Sequence, residues 1–142
     1  YHGGTALPYG YHDTGNGFAV DIGAIERQIT PRTRVLILND LQNPIGAEAS
    51  PEEFERLAEI VRTHNLQVLC DEAYFEIRYS GTSRSFVSLP GMQERCVILY
   101  TFSKKYAMTG WRLGAAIGPK NVIDVIAKLN VNDESGSNHF VQ

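Results

Sequence analysis

What the sequence lacks narrows it first. No apolar run approaches the ~20 residues of a membrane-spanning helix, and no signal peptide is visible. Positive charge is not in excess: 13 Lys and Arg stand against 16 Asp and Glu, for a net charge of −3. Such a chain carries no electrostatic footprint for nucleic acid or for an anionic membrane surface. Cysteine is scarce. Cys70 and Cys96 lie far apart inside apolar runs and read as reduced core thiols, not as a disulfide or a metal pair. The four histidines, His2, His12, His64 and His139, show no metal-ligand spacing. A reducing, cytoplasmic setting fits. Internal repeats and low-complexity tracts are absent, and no domain boundary falls inside the chain.

What is there is 142 residues, 43% hydrophobic and 20% charged, enough for one modest domain with a core. The first residue is Tyr1, not Met, and Gln142 stands in polar sequence. The expectation is therefore a piece of a longer polypeptide. Residues 1–17, rich in Gly, Tyr and Pro, read as loop with room for one short strand. Asp21 is placed to cap a helix over Ile22 to Ile29. VLILN at 35–39 has the pattern of a strand buried on both faces. Asn43-Pro44 and Ile45-Gly46 mark turns in the loop that follows. Ser50, Pro51 and Glu53 form a capping box that starts a helix running to about Thr63, with Phe54, Leu57, Ala58 and Val61 on one face. Asn65 is its stop. QVLC at 67–70 and CVILY at 96–100 are two more buried strands, RLGAAIG at 112–118 a fourth, and Asn121 to Leu129 a last helix. Strand, helix, strand with short links requires parallel pairing. The predicted class is α/β, a three-layer arrangement with a mostly parallel sheet.

In open α/β sheets, ligands bind outside the carboxyl ends of the strands. Asn43 follows the first of these strands, Asp71 and Tyr74 the second, and Thr101, Ser103 and Lys104 the third, with Arg112 close behind. A carboxylate at a strand end can pair with a ring cation. A guanidinium and hydroxyls suit a phosphate. A lysine can form a Schiff base with an aldehyde. A phenol and an amide can hydrogen-bond a ring hydroxyl. Pyridoxal 5'-phosphate has all four features, although spacing alone does not force it.

Three motifs carry a resemblance. NPIG at 43–46 is similar to an N-P-T/S-G turn, DEAY at 71–74 to a D-E-x-Y segment, and TFSKKYAMTGWRLG at 101–114 to a lysine signature with an arginine eight residues on. In these the chain resembles the class I/II aminotransferases, fold-type I pyridoxal-phosphate enzymes, over nearly its whole length. The resemblance implies that residues 1–142 are a partial cofactor-binding large domain. The N-terminal segment and the C-terminal small domain would lie outside it, with the phosphate-cradling glycine loop, the ring-stacking aromatic and the arginine that takes the substrate carboxylate. The activity implied is transfer of an amino group from an amino acid to a 2-oxo acid by a homodimer; the fragment alone is not expected to turn over substrate. Lys104, eight residues before Arg112, matches the Schiff-base position. Lys105 falls on a variable position and reads as solvated or structural.

The resemblance also assigns roles. Asp71 would hold the pyridinium proton, and Tyr74 and Asn43 would bond the phenolic oxygen. Thr101, Ser103 and Arg112 would bind phosphate. Each has a plainer use: a surface lysine, a helix-capping Asp, a packed Tyr, a turn-forming Asn, hydroxyls that cap backbone N–H groups, an arginine in a structural ion pair. Ile45 stands where the family commonly has Thr or Ser, and Thr101 where it commonly has Ser. Trp111 and Tyr106 read as packing residues, Gly110 and Gly114 as points of close backbone approach. A β-eliminating carbon–sulfur lyase, a sensor domain of a transcription regulator and a purely structural domain remain alternatives on the same scaffold.

Overall fold

The computed structural model describes residues 3–133, 135–138 and 140. His2 and His139, two of the histidines read for metal spacing, lie outside them. A two-stranded antiparallel hairpin, β1 (Tyr11–Asp13) and β2 (Phe18–Val20), comes first. β1 is the short strand for which residues 1–17 leave room; β2, just beyond them, is not among the strands expected from sequence. Gly15 and Gly17 take positive φ in the turn between them (83° and 149°), which the Asp13-Thr-Gly-Asn-Gly run allows.

Helix α1 (Ile22–Gln28) starts where Asp21 accepts the Ala24 N–H at 2.8 Å, and its Ile22 and Ile25 are buried. Strand β3 (Val35–Asn39) leads to α2 (Pro51–Thr63). Its capping box is complete: Ser50 Oγ accepts the Glu53 N–H at 3.2 Å, and the Glu53 carboxylate accepts the Ser50 N–H at 2.7 Å. The helix ends as expected, with Asn65 just beyond it in the left-handed region at φ 50°. Then come β4 (Gln67–Asp71), a link with a 3-10 turn at Phe86–Ser88, β5 (Cys96–Thr101), the one-turn helix α3 (Phe102–Lys105), a second 3-10 turn at Thr109–Trp111, β6 (Gly114–Ile117) and α4 (Lys120–Asp133).

The sheet order is β3-β4-β5-β6; the first three strands are parallel and β6 is antiparallel to β5. The fourth strand is thus shorter than the 112–118 expected. Gly114 sits against β5 so tightly that a Cβ there would stand 2.8 Å from the Tyr100 carbonyl oxygen, as the close-approach reading required; nothing lies within 4 Å of a Cβ at Gly110.

One sheet face is sealed. Leu36, Leu38, Val68, Cys70, Cys96 and Ile98 point toward Phe54, Leu57, Ala58 and Val61 of α2, and the β4–β5 link adds Phe86, Leu89 and Met92 to the same core. Phe54 and Phe86 meet edge-on at 5.4 Å. Each such large apolar side chain contributes about 1.5–3 kcal/mol of burial. Cys70 and Cys96 are free and buried there. The other face is open: Val35 and Ile37 are 53% and 58% exposed. The reading of β3 as buried on both faces is therefore corrected. The cause is topological, since α1, α2 and the β4–β5 link all serve one core, and α4 buries no residue. No helix among the described residues is long and apolar enough to cross a membrane.

Candidate functional site

The carboxyl ends of the three parallel strands lie side by side, because the register pairs Asn39 with Asp71 and Asp71 with Leu99, two residues before Thr101. Antiparallel β6 begins at this same end, where Gly114 pairs with Thr101. All seven residues expected to form a site fall on these strand ends or on the loops that leave them.

Local hydrogen bonds set several of them. Asp71 Oδ1 accepts the Ala73 N–H at 3.2 Å, which turns the chain as it leaves β4. The Asn39 side chain donates to the Asp71 carbonyl at 3.0 Å and accepts the Asn43 N–H at 3.1 Å. Asn39 thus links the two loops that carry Asp71 and Asn43. Sequence reading took it only as the last residue of a strand; the available signal was a polar residue closing an apolar run on the ligand-binding edge. The Asn43–Pro44 peptide is cis, and the Gly46 N–H closes the turn onto the Gln42 carbonyl at 2.7 Å. Asn43 and Tyr74 line one open groove of about 430 Å³, with Pro44, Ile77, Arg78 and Tyr79 in its walls. Arg78 is clamped there by both Glu48 oxygens, at 2.6 and 2.8 Å.

Thr101 ends β5 and caps α3, its Oγ1 accepting the Ser103 N–H at 3.2 Å. This is the local capping weighed above. It leaves the hydroxyl proton of Thr101 free to donate elsewhere. Ser103 is buried. Lys104 projects from the single turn of α3, its Nζ 5.5 Å from the Tyr74 ring centre, and makes no ion pair among the described residues. Lys105 does: its ammonium pairs with Glu76 and lies 5.2 Å from the Tyr106 ring centre. The structural use of Lys105 is the one realised, and Glu76 was not foreseen.

Arg112 holds a left-handed backbone at φ 52°, uncommon for a residue with a side chain. Its Nη1 donates to the Thr109 carbonyl at 3.0 Å, its one side-chain hydrogen bond among the described residues. The structural ion pair considered for it is not formed among the described residues. Trp111 and Tyr106, expected to pack, are 53% and 51% exposed, although Tyr106 leans on Phe102 with ring centres 5.8 Å apart.

Two carboxylates next to the strand ends, Glu72 buried and Asp40 partly buried, depart from their ordinary range. Burial pushes Asp40 up to about 6, against the Ala49 N–H that its Oδ1 accepts at 2.7 Å; Glu48 and Glu72 push the same way and Arg78 opposes them. Burial also raises Glu72, whose carboxylate Ser85 and the Phe86 N–H partly stabilise. Both lie outside the set of residues expected at the site.

The donor set fits pyridoxal phosphate. It offers an amine without a carboxylate partner, a carboxylate at a strand end, a phenol and an amide on one groove, and hydroxyls and guanidinium N–H groups grouped at the β5–β6 end. Among the described residues no side chain of this set bonds the side chain of another, although Thr101 Oγ1 and Asp71 Oδ1 each accept a backbone N–H.

Comparison with known proteins identifies the scaffold. The profile of aminotransferase class I and II matches residues 1–134. Arginine–pyruvate transaminase AruH of Pseudomonas aeruginosa is 40% identical over 89% of this chain and 32% of its own length. LL-diaminopimelate aminotransferase of Moorella thermoacetica is 40% identical over 89% of the chain and 33% of its length. Among solved structures, N-succinyldiaminopimelate aminotransferase of Mycobacterium tuberculosis superposes with a TM-score of 0.83 at 34% identity, over 87% of this chain and 33% of that one. The chain spans about a third of the length of the relatives it matches. The profile match and the relatives show the family: this chain belongs to the class I and II aminotransferases, the fold-type I enzymes that depend on pyridoxal phosphate.

Proposed function

We propose that residues 1–142 form the central part of the large domain of an aminotransferase that moves an amino group from an amino acid to a 2-oxo acid, and that Lys104 is the residue that holds its cofactor covalently. The observation that carries this reading is the position of Lys104. It stands at the carboxyl end of the sheet over the Tyr74 ring, without a carboxylate partner, while its neighbour Lys105 is consumed by Glu76.

When bound, pyridoxal phosphate supplies an aldehyde for attachment and a ring that withdraws electrons from the substrate's Cα. The chain's residues then have separable tasks. The Asp71 carboxylate holds a proton on the ring nitrogen. The Asn43 amide and the Tyr74 hydroxyl orient the ring through its phenolic oxygen. Thr101, Ser103 and Arg112 bind the phosphate, Arg112 through its fork of N–H donors. Lys104 would hold the cofactor's aldehyde carbon, and its free amine would serve as the base that carries a proton between the substrate's Cα and that carbon. Most of the groups that choose the amino acid would belong to the two thirds of the relatives' length that this chain does not cover, and the working form would be a homodimer.

The test is covalent trapping. The full-length parent is mixed with pyridoxal phosphate, reduced with borohydride and mapped by peptide mass spectrometry beside Lys104→Ala and Lys105→Ala. Label on Lys104, lost in Lys104→Ala and kept in Lys105→Ala, is the expected result. A label that survives Lys104→Ala on another lysine of this segment would overturn the assignment.

A further inference from the structure

Helix α3 is one turn long, and a turn of four residues cannot hold its own orientation in water. Its backbone ties are few: the Phe102 N–H reaches the Leu113 carbonyl at 3.3 Å, and the Tyr106 N–H reaches the Phe102 carbonyl at 3.2 Å. These fix where the turn sits better than how it is rotated about its axis. Rotation decides where Lys104 points. Adjacent residues on a helix are about 100° apart, so fixing Lys105 fixes Lys104 as well.

Lys105 is fixed from two sides. Its ammonium pairs with Glu76 and lies over the Tyr106 ring, and hydrogen bonding to Glu76 raises its pKa above the ordinary lysine value. Glu76 also accepts the Tyr100 hydroxyl at 3.4 Å, from the end of β5. Tyr100 in turn packs edge-on against Phe102, with ring centres 5.4 Å apart. Glu76 lies two residues beyond Tyr74 on the loop that leaves β4. One carboxylate therefore joins the loop that carries Tyr74 to the strand end and the turn that carry Lys104.

We propose that Glu76 is a positioning residue for Lys104: by bridging Lys105 on α3 and Tyr100 on β5, it sets the rotation of the lysine turn and the separation of Lys104 from Tyr74. The proposal rests on the assignment of Lys104 made above. It also accounts for the adjacent lysines. The second is spent on an ion pair that aims the first.

The test follows attachment of pyridoxal phosphate to the full-length parent by stopped-flow absorbance, with the site confirmed by borohydride trapping. Glu76→Ala and Lys105→Met should each slow attachment about three- to fivefold, the ceiling for a half-exposed pair. The double variant should be no slower than either single one, because both remove the same link. Lys105→Arg, which keeps the cation, should hold the rate within about twofold of the unaltered protein. Arg56→Met breaks another exposed ion pair, between α2 and α1, and should leave the rate alone. Glu76→Gln serves beside Glu76→Ala, since it keeps the side chain's size if the alanine variant folds poorly. Unchanged rates in Glu76→Ala, Glu76→Gln and Lys105→Met would overturn the proposal. So would effects that multiply in the double variant, or an equal slowing in Arg56→Met. If the unaltered protein never labels Lys104, the assignment of Lys104 itself falls and takes this proposal with it. If it labels Lys104 at the same rate with and without Glu76, only the role of Glu76 falls.

Discussion

The two sides of this sheet are built on different principles. The sealed face, against α2 and the β4–β5 link, is apolar and close-packed: Leu57, Ala58, Val61, Met92 and Cys96 are wholly buried, and Phe54 and Phe86 nearly so. The carboxyl edge is polar and held by single hydrogen bonds, such as Asn39 to Asp71, Thr101 to Ser103 and Glu76 to Lys105. The first region is stabilised by area, which is cooperative and insensitive to direction. The second is stabilised by direction, and each link is worth little alone. A scaffold of the first kind can carry a site of the second kind, because the register of β3, β4 and β5 brings Asn39, Asp71 and Thr101 to one end whatever their side chains do.

The strongest way to break that contrast is at the sealed face. Phe54→Ala removes a ring that meets Phe86 edge-on and is almost wholly buried. It should cost about 3–5 kcal/mol of stability, read as a lower urea midpoint. In variants that remain folded at low temperature, attachment of pyridoxal phosphate should be little changed. Loss of attachment at full folding would show that the site is not insulated from the core.

The converse change is at the edge. Asp71→Asn keeps an oxygen for the Ala73 N–H and should leave the urea midpoint within about 0.5 kcal/mol. It removes the charge that the ring nitrogen would meet. Retention of pyridoxal phosphate should fall about 10- to 100-fold, the scale of a charge-assisted hydrogen bond. Equilibrium binding followed by absorbance measures it, and unchanged affinity would argue that Asp71 serves only the turn.

The two regions also differed in how far they could be read from sequence. Local signals carried the scaffold. Ser50, Pro51 and Glu53 fixed the start of α2 and Asn65 its end, while VLILN and CVILY announced β3 and β5 by apolar content alone. Strand β2 escaped because a three-residue strand is too short to show alternation. β6 was drawn too long because Arg112, in a left-handed conformation, and the 3-10 turn before it interrupt a stretch whose composition is strand-like throughout. Every residue expected at the site sits at the carboxyl edge of the sheet or on a loop there, since motif spacing reports which loop a residue leaves from. What stayed hidden were links between loops. Glu76 and Lys105 are partners that neither spacing nor periodicity couples, and Asn39 gains its meaning only from strand register. The open face of β3 was misread for the same reason: an apolar run tells which residues avoid water, and not which helix covers them.

A partly buried charge sharpens the comparison. The Asp40 carboxyl directly follows β3, and desolvation raises it from 3.8 to about 6. A group whose folded pKa is raised stabilises the fold below its unfolded pKa, and that contribution is lost as pH climbs through the folded value. Stability should therefore fall between about pH 4 and pH 6.5 by an amount on the order of 2 kcal/mol from this group. Asp40→Asn, which retains an acceptor for the Ala49 N–H, should flatten that slope; Glu72, raised in the same direction, leaves a remainder. Urea midpoints at a series of pH values decide it, and an unaltered slope in the variant would remove Asp40 from the account.

The smallest effects separate two helix caps of identical chemistry. Ser50 caps the 13-residue α2, and Thr101 caps the four-residue α3. Ser50→Ala removes half of a capping box from a helix that supplies the core, and should cost about 1 kcal/mol of global stability. Thr101→Val removes the same kind of acceptor from a turn that buries almost nothing, and should shift the midpoint by no more than about 0.5 kcal/mol. Its consequence should appear instead in phosphate affinity, because Val cannot donate and leaves the Ser103 N–H seeking water. Inorganic phosphate competing with pyridoxal phosphate reads that affinity directly. If Thr101→Val lowered the midpoint as far as Ser50→Ala and left phosphate competition unchanged, the Thr101 hydroxyl would be a cap like any other, and the edge would be held by the same means as the scaffold beneath it.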